Sequence, residues 1–278
     1  MNNTYQIMTP AKQISKAGTV DIIQLTDTHL FKQEKGKLLG LETEKSLNAV
    51  VEHIAENEKV DAILATGDLA QDGSHEAYNR LSNVLSELKT PVFWLAGNHD
   101  DLSVMSKSLI NKNVYSQKRV LIGKWQIVLL NTNIPGKVHG VLSPSELDFL
   151  HNCLTDKPSH YTLVALHHQP VKYDSKWLDS IGLKNSAEFF AVLARHSNVR
   201  SVVWGHVHQE YLRNMGVVKL YSTPSTCVQF EPHSTDFEAG KQDPGYRRFK
   251  LFPEGDIDSE VIRTRPMDFT VDYTIKGY

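Results

Sequence analysis

Short apolar runs alternate with amphipathic stretches along this chain, and that alternation predicts its elements before any single residue is singled out. Residues 21–26, Asp-Ile-Ile-Gln-Leu-Thr, read as a short buried strand. Residues 43–57 then place Leu47, Val50, Val51, Ile54 and Ala55 on one face of a helix, and 62–65 return as a strand. A second helical pattern, Ala77, Leu81, Val84, Leu85 and Leu88, follows Asp72 and Ser74, either of which suits a helix cap. Pro91 opens a strand at 92–95, and further strands are expected at 125–130, 162–166 and 201–204. Ser143-Pro144-Ser145-Glu146 has the capping-box pattern with proline at the first helical position, opening a helix through Leu147, Leu150 and Leu154. One more helix is expected at 186–195. Strands that alternate with helices in this way define the α/β class.

Each strand that precedes a polar motif hands it over at its C-terminal end, where open α/β architectures place their ligand crevice. After 21–26 comes Asp27-Thr28-His29, whose two potential ligands sit two residues apart; alone, such a triplet is more often a turn carboxylate and a solvated histidine than a metal site. After 62–65 comes Thr66-Gly67-Asp68, where glycine permits a tight turn and aims a carboxylate beyond the strand. Asp68 is the candidate for a carboxylate shared by two cations, which holds the ions together while cancelling part of their repulsion. The run 92–95 ends in Gly97-Asn98-His99-Asp100, a neutral ligand, a proton carrier and a carboxylate in sequence, with no matched strand close enough to make it a hairpin. His167-His168 closes the strand at 162–166, and because neighbours in an extended segment face opposite ways, His167 alone is taken as the site-facing ligand. Gly205-His206-Val207-His208 follows 201–204 and offers two imidazoles one residue apart. Any one motif could be a solvated loop, but five in a row at strand ends make coincidence a poor account. The irregular stretch with Pro135, Gly136, His139 and Gly140 is expected to form a lid or a pocket wall.

Composition changes this picture little. With 278 residues, 40% hydrophobic and 22% charged, the chain has ample material for a core, and one domain over 1–278 is the simplest count. A formal net charge of −2 gives no footprint for nucleic acid or an anionic membrane, so a small-molecule substrate is expected. Cys153 and Cys227 lie far apart, which argues against a disulfide framework or a thiolate zinc site and fits a reducing cytoplasm. Residues 1–20 lack the apolar core of a signal peptide, and no run approaches the roughly 18 apolar residues of a membrane span, so the expected location is cytoplasmic.

The ordered set Asp-x-His, Gly-Asp, Gly-Asn-His-Asp, His and Gly-His-x-His resembles the signature of the calcineurin-like metallophosphoesterases. The longer stretches 25–31, 65–72 and 222–230 look like the bacterial class III 3',5'-cyclic-AMP phosphodiesterases. The resemblance covers roughly 18–264, leaving 265–278 as a C-terminal tail. It implies a four-layer α/β/β/α sandwich of two mixed sheets. It also implies two divalent ions, one held by Asp27, His29, Asp68 and His208 and the other by Asp68, Asn98, His167 and His206. Iron with manganese is implied, and the thiolate-free donor set also admits zinc. Where such enzymes usually carry an aspartate after the strand at 125–130, this chain has Asn131. The implied reaction opens a cyclic 3',5'-phosphodiester to the 5'-monophosphate by attack of metal-activated hydroxide, lowering intracellular cyclic AMP. His29, Asp68, Asn98, His99 and His208 would contact the substrate. His99 would protonate the leaving ribose oxygen while Asp100 orients its ring. The ligands themselves do not choose between this substrate, another phosphodiester and a phosphomonoester. A non-catalytic interaction protein on the same fold would be expected to have lost ligands or His99.

Overall fold

Period-two alternation within the strands sorts side chains into an inner and an outer set, and the architecture follows from where each set is buried. In the computed structural model, which describes residues 3–7, 18–264 and 270–277, two mixed sheets face each other. In the first, strands Val20–Leu25, Ala62–Thr66, Val92–Leu95 and Val114–Tyr115 run parallel. Gly245–Leu251 and Ile257–Arg263 extend that sheet in antiparallel register. In the second, Trp125–Leu129, Tyr161–Ala165, Val199–Trp204 and Val218–Ser222 are parallel. Arg119–Ile122 and Tyr211–Met215 pair antiparallel to its outer members, and Thr4–Gln6 forms an edge.

Ile22, Leu64, Phe93 and Leu95 of the first sheet pack between the sheets with Ile127, Leu129, Leu163 and Val203 of the second. The alternate set, Ile23, Leu25, Ile63, Ala65 and Trp94, faces helices Thr43–Asn57, His75–Ser86 and Leu102–Ser108. On the other outside face, Val128, Val164, Val202 and Trp204 meet Leu150 and Leu154 of Pro144–Asp156 and Phe189 of Ser186–Leu193. The layers are therefore helix, sheet, sheet, helix, as the resemblance implied. All the parallel strands that precede the polar motifs point their C-terminal ends toward one edge of the sandwich, which is why residues far apart in sequence meet there.

Three local points are decided by the structure. Ser74, not Asp72, caps His75–Ser86, with its hydroxyl accepting from Ala77 N at 3.4 Å. Asp72 instead accepts from Lys32 N at 2.7 Å and Ser74 N at 3.1 Å, tying two loops together. Ser143 accepts from Glu146 N at 3.2 Å, but the carboxylate of Glu146 does not complete a capping box; it accepts from Asn131 N at 2.9 Å and pairs with Lys118. Of the expected tail, 265–269 and 278 lie outside the described residues. Val271 is buried against the cluster that holds Leu38, Leu39 and Leu41, and Asp272 N donates to Leu39 O at 2.7 Å.

Candidate active site

The chain reverses sharply after its strands, and the residues at those reversals carry the chemistry. Asp27, His29, Asp68, His206 and His208 all have left-handed backbones, with φ between 45° and 66°. Non-glycine residues adopt that region at a cost of about 1–3 kcal/mol each and are found there when surrounding structure over-determines them. The reversals need clearance. A Cβ at Gly97 would run into the carboxylate and backbone of Asp68, and one at Gly205 would strike Thr26 and the carboxylate of Asp27. These glycines let two loops pack directly on the acidic centre.

Asp27 and Asp68 lie at that centre with both carboxylates fully or almost fully buried. Asp27 accepts from Thr26 Oγ1 at 2.6 Å and from His206 N at 3.1 Å, and Asp68 Oδ1 accepts from His99 N at 2.9 Å. Imidazoles surround them. His208 Nε2 is 3.3 Å from Asp27 Oδ1 and 3.1 Å from His29 Nε2; His167 Nε2 is 3.2 Å from Asp68 Oδ2. His206 shares a second group of imidazoles with His167 and His168, on the other side from His29 and His208. The two histidines of the Gly-His-x-His motif thus serve opposite halves of the cluster.

Second contacts decide what the rings offer to this centre. His208 Nδ1 donates to Val228 O at 2.8 Å, and Phe230 stacks flat on the ring at 4.0 Å. His29 Nδ1 lies 2.5 Å from Gln71 Oε1, and His167 Nδ1 donates to Thr66 O at 2.8 Å. In each neutral ring the proton is then on Nδ1, so Nε2 presents a lone pair to the carboxylates. Lone pairs and carboxylate oxygens at 3.1–3.3 Å need a proton or a cation between them. Asp68 Oδ2, His167 Nε2, both nitrogens of His206 and Asn98 Oδ1 are buried without a hydrogen-bond partner. Each such atom costs about 1–3 kcal/mol unless something pairs with it. This donor set, imidazole nitrogen and carboxylate or amide oxygen, fits divalent transition metals.

Ionisation points the same way. Burial alone would lower His167, but the charge of Asp68, its contact with the ring and the nearby Asp27 push it up to about 9. Burial brings His29 down to about 3 and holds His206 well below the ordinary imidazole range. Burial would raise Asp68, yet the imidazoles of His167, His99 and His29 hold its carboxyl well below the usual range, and Asp27 is lowered chiefly by His208 against its own burial.

Two residues beside the expected ligands have roles of their own. His168, adjacent to His167 and within the same imidazole group, has both ring nitrogens engaged, 2.7 Å from Thr132 Oγ1 and 3.0 Å from Val138 O. It anchors the loop of Pro135 and Gly136, which is a pocket wall. Asp100 does not orient the ring of His99. Its carboxylate accepts from Leu69 N, Ala70 N and Gly97 N at 2.8–3.2 Å and from Tyr78 Oη at 2.9 Å, so it binds the Asp68 loop to the Asn98 loop. Burial and the Asp68 charge push it up to about 6 against the pull of those donors. The carbonyl facing His99 Nδ1, at 3.2 Å, belongs to Gln71. Gln71 therefore touches two site imidazoles, one with its side chain and one with its backbone. Its only signal in the sequence is a position three residues after Asp68, too little to single it out.

Beside His99 opens a cleft of about 860 Å³ whose lining includes Asn98, Asp72, Leu102, Asn131 and Pro135. No helix among the described residues is long and apolar enough to cross a membrane.

The sandwich with an acidic, imidazole-rich centre at its strand ends defines a calcineurin-like phosphoesterase: the model of that family matches residues 20–210, and the chain belongs to it. Among curated relatives, the 3',5'-cyclic adenosine monophosphate phosphodiesterase CpdA of Pseudomonas aeruginosa is 41% identical over 271 residues, covering 97% of this chain and 98% of that protein. The CpdA protein of Escherichia coli K12 is 41% identical over 261 residues, 93% of this chain and 95% of that one. A dimetal phosphatase from Danio rerio superposes with a TM-score of 0.59 at 16% identity, over 88% of this chain and 99% of its own, and shares the fold.

Proposed function

We propose that this chain, as one catalytic domain, hydrolyses 3',5'-cyclic AMP to 5'-AMP in the cytoplasm and so lowers intracellular cyclic AMP. The observation that carries the reading is the near-complete, end-to-end likeness to the CpdA phosphodiesterases, at 41% identity over 97% of this chain. Two divalent ions would be held by Asp27, His29, Asp68 and His208 and by Asp68, Asn98, His167 and His206, with Asp68 common to both. Iron(II) is the first choice, manganese(II) the second, and zinc less favoured. When bound, such ions supply an activated water near neutral pH and offset charge on the phosphoryl oxygens.

The chain's own residues do the rest. Asn98, His29 and His208 would border the phosphoryl group, and the amide of Asn98 would meet its oxygens. Water oxygen joins phosphorus as the bond to the ribose 3' oxygen breaks, and that oxygen leaves with a proton. His99 is the proton donor, and the Gln71 carbonyl at its Nδ1 supports the protonated ring. Neither a nucleic acid nor a membrane is needed as partner.

The test is product chromatography after incubation of metal-reconstituted protein with a nucleotide panel. Expected are 5'-AMP from 3',5'-cyclic AMP and slower turnover of 2',3'-cyclic nucleotides and monoesters. Dominant activity on a monoester would overturn the proposal while leaving the metal site intact.

A further inference from the structure

We infer that Leu102 and Asn131 form a nucleobase subsite on the wall of the catalytic cleft, an inference that rests on the cyclic-nucleotide reading above. The argument starts from the leaving atom. If His99 protonates the ribose 3' oxygen, the ribose lies on the His99 side of the phosphorus, and its base must extend farther along that side. The space there is the cleft of about 860 Å³, within the roughly 300–1,000 Å³ range of small-molecule sites.

The lining of this cleft selects a neutral, planar occupant. Its charged members besides His99 are the carboxylates Asp72, Asp100 and Asp101, and no lysine or arginine lines it among the described residues. A second phosphate would be repelled there, whereas a base would not. Leu102 is a large aliphatic side chain, 40% exposed, at the first position of helix Leu102–Ser108. Its place is fixed, because Asp101 caps that helix by accepting from Ser103 N and Val104 N at 2.9 and 3.1 Å. A smaller compartment of about 160 Å³, lined by Trp94, Ala96 and Leu129 on its apolar side and by the paired Lys118 and Glu146 on another, shares both Leu102 and Asn131 in its wall. An apolar face therefore continues behind the cleft, which suits the flat surface of a purine.

Asn131 supplies the polar edge. Its backbone N donates to Glu146 at 2.9 Å, and its Oδ1 accepts from Asn133 N at 3.0 Å. That contact identifies which end of the amide is oxygen, leaving Nδ2 to donate to a ring nitrogen. The distance from this wall to His99 is also set, since Asn133 Nδ2 donates to Gly97 O at 2.5 Å and to Asp100 O at 3.3 Å. Asn133 thus ties the wall to the loop that carries His99.

The test compares 3',5'-cyclic AMP with 1-deoxyribose 3',5'-cyclic phosphate, which keeps the reacting ring and lacks the base, using metal-reconstituted protein. Leu102→Ala should raise KM for cyclic AMP about tenfold, the size of one lost apolar contact in a substrate pocket. Asn131→Asp, which keeps an acceptor for Asn133 but exchanges the donor for a charged oxygen that can no longer donate to a ring nitrogen, should also raise KM for cyclic AMP. In both variants kcat should stay within about twofold, and KM for the base-less phosphate should not move. Equal losses on both substrates, or no loss on either, would overturn the subsite while the cyclic-nucleotide reading stands. Wild-type protein that turns over neither cyclic phosphate would overturn both.

Discussion

Gln71 offers the sharpest test of how the imidazoles are prepared for metal. Its side-chain oxygen sits 2.5 Å from Nδ1 of His29 and its own carbonyl 3.2 Å from Nδ1 of His99. Gln71→Ala removes the first contact and keeps the second, because the carbonyl is backbone. His29 then loses the acceptor that holds its proton on Nδ1 and its Nε2 lone pair toward Asp27 and Asp68, each 4.0 Å away. Loss of such an outer partner typically weakens metal binding by about 10–100-fold, or about 1.4–2.7 kcal/mol. Only the ion held by His29 should feel it, so titration calorimetry of metal-free protein with Mn²⁺ should show one weakened site and one within about threefold of wild type. Gln71→Glu keeps an acceptor and adds charge, so it should restore affinity. Two unaltered affinities in Gln71→Ala would refute the reasoning, as would loss of both sites from a folded protein.

Two other outcomes are expected. His99→Asn should keep both metals yet slow cyclic AMP hydrolysis by about 10²- to 10⁴-fold, with a far smaller loss on an aryl phosphodiester whose leaving group needs no proton; equal losses on both substrates would favour a positioning role. Metal-free His167, pushed up to about 9, is protonated at pH 7 and must be neutral to bind an ion, so metal uptake at pH 7 should release about one proton from this residue, and the release should fade as pH rises through about 9. Calorimetry in buffers of different ionisation enthalpy measures that proton, and a buffer-independent heat at pH 7 would contradict it.

The parallel strands that lead into the motifs were legible because buried parallel strands read as continuous apolar runs that stop abruptly at polar residues, whereas the parallel strands Val114–Tyr115 and Val218–Ser222 were not expected. Nor were the later antiparallel strands. Gly245–Leu251 contains Arg247, Arg248 and Lys250, and those charges hide its period. Arg247 is nevertheless buried, donating to Ser222 O at 3.0 and 3.1 Å and to Ser259 Oγ at 2.8 Å, contacts that no local pattern announces. The choice of His167 over His168 followed from strand geometry alone; the structure sets His168 in the same imidazole group, with Thr132 and Val138 at its two nitrogens.

Asp100 shows where residue type stops being informative. A carboxylate beside a proton-carrying histidine invites the role of orienting it, but side chains of adjacent residues diverge, and here the carboxylate turns inward to three backbone donors and Tyr78. That inward role answers a need created by the site itself. Asp68 holds a left-handed backbone at φ 48°, and the chain on either side of it must be fastened for the strained turn to persist. Asp100 fastens Leu69 and Ala70 directly after the turn and Gly97 across from it. The last residue of the Gly-Asn-His-Asp motif therefore supports the carboxylate proposed to join the two ions, and it reaches the chemistry through Asp68 rather than through His99.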